Sequence, residues 1–101
     1  MSDTFKVNRG SDLTFSFSWP DGAGGNANLT GYTVSIFEPS HTIADAITAA
    51  LMDAASGLIQ VRIEWENISN AAAIAEHIFR VRIDDGAGEQ QSTNKLSVTY
   101  Q

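Results

Sequence analysis

Five segments of this chain alternate apolar with polar residues over the length of a strand, and that period of two constrains the fold more than any other feature. Leu13, Phe15, Phe17 and Trp19 alternate with Thr14, Ser16 and Ser18. Ile59, Val61, Ile63 and Trp65 alternate with Gln60, Arg62 and Glu64, the cleanest amphipathic stretch. Phe79, Val81 and Ile83 alternate with Arg80, Arg82 and Asp84, and Leu96, Val98 and Tyr100 mark a last strand. Tyr32, Val34 and Ile36 share one face of a fifth segment whose other face carries Thr33, Ser35 and Phe37. With Phe5 and Val7 as a short first strand, the expectation is an all-β, antiparallel β-sandwich of roughly six to seven strands with short helical or irregular connections.

Turn signals separate these segments. Pro20-Asp21-Gly22 stops the first, and the glycines that follow suit a flexible hairpin loop running to Leu29. Pro39 ends the next segment, Ser56-Gly57 precedes the one that starts at Ile59, and Asp85-Gly86-Ala87-Gly88 forms a turn after the one that starts at Phe79. Between Thr42 and Met52 the pattern fits either a turn or two of helix, with Ile43, Ile47 and Leu51 at helical spacing, or a ragged strand. Ser69 or Asn70 is positioned to cap one helical turn over the alanines at 71–75. No repeat or linker divides the chain, so residues 1–101 read as one domain.

Composition narrows the chemistry. The absence of cysteine removes disulfides, thiolate catalysis and Cys-ligated zinc together. Twelve acidic against six basic residues leave a net charge of −6, which opposes capture of a phosphate backbone, so nucleic acid is not an expected partner. The N-terminus lacks the charged-then-apolar order of a signal peptide, and no run is long and apolar enough for a membrane span.

The residues that could carry catalysis do not assemble into a motif. His41 lies in a loop and His77 at a strand start, both read as solvated or partly packed side chains with no activated serine beside them. Glu64 with Glu66, Asp84 with Asp85, and Asp45 with Asp53 are the acidic pairs, but Asp84-Asp85-Gly86 lacks the alternating ligands of a calcium loop. Gly22-Ala23-Gly24-Gly25 is not followed by Lys-Ser or Lys-Thr and opens no helix, so it does not cradle phosphate. No catalytic residue, metal or cofactor is expected.

Binding residues remain. Trp19 and Trp65 continue the inward register of their strands and read as core lids, while Tyr32 closes the end of the core. Phe37 sits on the polar face of its strand, suited either to an interface or to packing under the 42–52 segment. Arg62, Arg80 and Arg82 fall on outward faces near Glu64 and Asp84, where paired strands would set opposite charges across the ladder. Phe37, Arg62, Arg80 and Arg82 are the candidate protein-interface residues, and both polar chain ends, 1–7 and 99–101, are expected to contribute.

Arg9-Gly10-Ser11-Asp12 before an alternating strand, the glycine loop after Trp19-Pro20-Asp21, Leu29-Thr30-Gly31-Tyr32, Ser56-Gly57 before a strand, and Ser92-Thr93-Asn94 before the last one form an ordered series. In this order the chain resembles the N-terminal domain of phage baseplate upper proteins and other small Ig-like tail-region modules of tailed bacteriophages. It departs from that pattern at Glu76-His77, where the family has Gly then Tyr. The resemblance implies an Ig-like β-sandwich without catalytic residues that docks other virion proteins. Baseplate proteins continue into coiled coils and receptor-binding regions where this chain stops at Gln101, so a freestanding module is expected. Its expected role is a tail or baseplate adaptor; the alternative is a capsid decoration (cement) protein on the major capsid protein, a class that is often trimeric. A carbohydrate-binding module using Phe37 or Tyr32 as a stacking platform is the rival from another class.

Overall fold

Period-two alternation becomes two packed sheets. The computed structural model describes residues 4–40, 43–68, 76–93 and 95–101. Its strands, in chain order, are β1 (Thr4–Val7), β2 (Leu13–Ser18), β3 (Thr33–Phe37), β4 (Ile47–Asp53), β5 (Leu58–Ile63), β6 (Glu76–Asp84), β7 (Gln90–Ser92) and β8 (Leu96–Tyr100). One sheet runs β1-β8-β6-β3 with β7 also on β6, and the other runs β2-β5-β4. With β2, β5 and β4 facing β8, β6 and β3, the connectivity is that of an immunoglobulin-type sandwich.

The core lies between the inward faces of the two sheets. Ile59, Val61 and Ile63 of β5 and Phe79 and Val81 of β6 are fully buried, as their alternation predicts. Each such side chain contributes about 1.5–3 kcal/mol of burial free energy. Leu29 is buried and Tyr32 packs half-buried against the core, so the tyrosine does close its end.

Several expectations change. The 42–52 segment resolves as strand rather than helix from Ile47 onward, because β4 pairs along β5 with a register shift between Leu51 and Asp53. β7 brings the count above seven; it carries only Gln and Ser, so no hydrophobic period marks it, and it exists through its ladder to Arg82, Ile83 and Asp84. β7 and β8 act as one broken strand, and Thr93 spans the break: its N–H donates to the Val81 carbonyl at 2.9 Å and its hydroxyl accepts from the Val81 N–H at 3.0 Å. The sandwich is not purely antiparallel, since β1 pairs with β8 in parallel.

The loop after Trp19 does not close a hairpin between neighbours. It folds on itself through the Pro20–Asn26 bridge, and the chain then crosses to the other sheet. Trp65 does not extend β5. The strand stops at Ile63, and Trp65–Asn67 form a single 3-10 turn whose first N–H donates to the Asp12 carboxylate at 2.9 Å. The Trp65 ring still packs against the core, 4.8 Å from the ring of Tyr100, so it lids the core from the turn rather than from the strand. At the end of β3, Glu38 adopts a positive φ of 51°, and Ser40 rejoins β6, donating its N–H to the Ile78 carbonyl and accepting the Ile78 N–H with its hydroxyl. The chain ends are tied down where they are described: β1 is laddered to β8, and Gln101 donates its N–H to Val7. His41, Ser69, Asn70 and the alanines at 71–75 fall outside the described residues.

Candidate functional site

Three of the four candidate interface residues meet on one face. Antiparallel pairing sets Phe37 opposite Arg80 and Ser35 opposite Arg82, so the outward side chains of β3 and β6 share a surface. The Arg82 guanidinium lies over the Phe37 ring, 4.5 Å from its centroid, a cation–π contact of about 0.5–1 kcal/mol at a partly exposed site. Phe37 therefore packs under Arg82 on the outer face, not under the 42–52 segment, and it is not a member of the core cluster. Arg80 keeps its Nε buried with no hydrogen-bond partner among the described residues. Asp84, two residues along from Arg82, accepts from the Gln90 side chain at 3.0 Å and the Gly86 N–H at 2.8 Å, and these bonds, the first foremost, hold its carboxyl below the usual range.

Arg62 stands apart. It belongs to β5, and β5 and β6 lie in different sheets, so the expected charge ladder between their arginines and carboxylates does not form. Arg62 instead reaches Asp12 at 3.3 Å, Glu64 at 3.5 Å and the Thr14 hydroxyl at 3.3 Å. All three charged groups are close to half exposed, so the network is worth about 0–1 kcal/mol per pair and leaves the guanidinium largely neutralised.

The acidic pairs resolve into local structure. Glu64 lies just past the end of β5 and Glu66 falls in the 3-10 turn, so the two do not share a strand face. Asp85 accepts the N–H groups of Ala87 and Glu89, which makes it a turn former. Among the described residues no group of three or more His, Asp or Glu is placed to hold a metal ion. No helix among them is long and apolar enough to cross a membrane.

His77 departs from its expected place. It is fully buried on the inward face of β6, with its ring edge-on to Tyr100 at 5.9 Å. Alternation starting at Phe79 already put position 77 on the inward face, but a strand-initial histidine carried no hydrophobic signal. Burial, and secondarily the charge of Arg9, holds the imidazole below its ordinary value near 6.5. The unfolded chain thus binds the proton more readily, and stability is full above about pH 6.5 and falls as the pH drops toward the depressed folded value. Urea midpoints measured from about pH 7 to pH 5 should decline in the wild type and flatten over that interval in His77→Leu; parallel profiles for the two proteins would refute the assignment.

The sequence carried no sign of a cleft that opens along β2. A cavity of about 880 Å³ lies between the β2 edge and the β7–β8 side of the opposite sheet. Phe15, Phe17 and Trp19 line one wall, and Gln91, Thr93 and Leu96 the other. The Phe and Trp residues were legible as inward-facing, but which strand would be left at an edge was not. Compared with known proteins, the chain matches no protein-family model and no curated protein sequence.

Proposed function

We propose that this chain is a non-enzymatic virion structural protein of a tailed bacteriophage, an Ig-like module that binds other virion proteins as a tail or baseplate adaptor. The observation that carries the reading is the outward face of β3 and β6, where an aromatic ring, its covering arginine and a second arginine with an unused buried N–H converge. Aromatic residues and arginine are the types enriched where protein interfaces concentrate their binding energy. A partner that displaces water from Phe37 and sets acceptors against the guanidinium groups of Arg80 and Arg82 gains the most there.

The carbohydrate reading is weaker on this surface. The Phe37 ring face is covered by Arg82, and Tyr32 packs against the core, so neither offers an open stacking platform.

Particle incorporation tests the proposal. Phe37→Ala combined with Arg82→Glu should keep the melting temperature within a few degrees while reducing co-purification with phage particles by about tenfold or more, and Arg62→Ala should leave it unchanged. Full occupancy by the double variant would sink the assigned face, and a wild-type chain absent from particles would sink the virion reading. Copies per particle separate adaptor from cement protein: a handful marks the baseplate, hundreds the head.

A further inference from the structure

The second feature that can take a partner is the free edge of β2. Trp19 donates its N–H to Gly57 across the β2–β5 ladder at 2.9 Å. Hydrogen-bonded pairs alternate along an antiparallel ladder, so Phe17, Phe15 and Leu13 bond to β5, and Ser18, Ser16 and Thr14 direct their N–H and C=O groups to the other side. Among the described residues no strand accepts them.

Other edges carry the devices that keep strands from pairing. β4 has a register shift and Asp53, β3 runs into Glu38 at positive φ and Pro39, β1 is four residues long with Lys6, and β7 has three residues. β2 carries none of them within the strand: LTFSFS contains no charge and no proline, Pro20 comes only two positions past its end, and all six residues stay in continuous register with β5.

The cleft follows this edge. Inward Phe15 and Phe17 and outward Ser16 and Ser18 all line it, an arrangement that arises only where a cavity runs along a strand's side rather than across one face. A strand added beside β2 sends alternate side chains into the space between Phe17 and Leu96. The volume, about 880 Å³, falls within the roughly 300–1,000 Å³ of concave sites that bury a ligand.

We infer that the β2 edge and its cleft receive an extended segment of another protein, antiparallel to β2, with alternating aliphatic side chains and a basic residue at its N-terminal end. The basic residue follows from charge. Among the described residues, Asp21, just beyond the C-terminal end of β2, is the one ionisable residue lining the cleft. A second copy of this chain, at net charge −6, brings like charge to the same place. The inference rests on the reading of the protein as a protein-binding module and supplies the partner's chemistry.

A synthetic peptide alternating valine and threonine behind an N-terminal lysine tests it on the full chain. Binding should shift Trp19 fluorescence and protect the Ser16 and Ser18 amides from exchange. Ser16→Pro removes an edge N–H that β5 does not use, and Ser16→Lys sets a charge on the edge without a backbone change. Both should weaken binding by about tenfold or more at unchanged melting temperature. No binding by the wild type, equal binding by both variants, or a concentration-dependent dimer that Ser16→Pro abolishes would each overturn the inference, the last by giving the groove to a second copy. Peptide capture by a chain absent from phage particles would leave the groove standing and remove only the virion role.

Discussion

Replacing Phe79 by alanine should lower the unfolding free energy by about 3–5 kcal/mol, the largest effect expected of any single substitution in this chain. Phe79 is fully buried at the centre of β6, the strand that pairs with β3, β7 and β8, and faces Leu96 across the ladder. Its ring also lies 6.3 Å from that of Phe15 on the opposite sheet, so the side chain holds both layers. Truncation removes the transfer free energy of the ring and leaves a cavity that two laddered sheets cannot collapse to fill. A domain of this size has about 5–15 kcal/mol in total, so the loss takes a large share of it. Urea denaturation with an unchanged slope is the measurement; Phe79→Leu should cost about 1.5 kcal/mol or less, and a loss under about 1 kcal/mol in the alanine variant would contradict the central placement.

Gly57→Ala should cost about 2–4 kcal/mol, from two separable causes. Gly57 has a φ of +65°, and a Cβ there would sit 2.6 Å from the Ala27 carbonyl oxygen. The contact is unyielding because it is backbone on backbone: Ala27 is fixed by its N–H bond to the Trp19 carbonyl, and Trp19 by its own bond to Gly57. Gly22→Ala is the control, with a φ of +86° and nothing within 4 Å of the added methyl. It should show the conformational cost alone, about 1–2 kcal/mol. Equal losses at the two positions would mean that the close approach of the Ala27 segment carries no weight. Ser56-Gly57 was legible as a turn; that a distant loop crosses within touching distance of it was not.

The same division runs through the candidate site. Alternation alone put Phe37, Arg62, Arg80 and Arg82 on outward faces. It could not tell that β3 and β6 are neighbours while β5 and β6 are in opposite sheets, and that choice joins Phe37 to Arg82 and sends Arg62 to Asp12 and Glu64. β7 escaped notice because Gln90–Ser92 has no apolar residue, and Trp65 was misplaced because a carboxylate far away in sequence, Asp12, captures its N–H.

By itself the sequence determined the all-β class, the inward sets of β2, β5, β6 and β8, and most of the turns, because side-chain period and local backbone preference are properties of a few consecutive residues. Only the tertiary structure decided which strands share a sheet, that His77 sits in the core, and that β2 is left at an edge beside an open cleft. Strand pairing is a contact between distant segments, and alternation says which face of a strand is buried but nothing about which strand lies along its side.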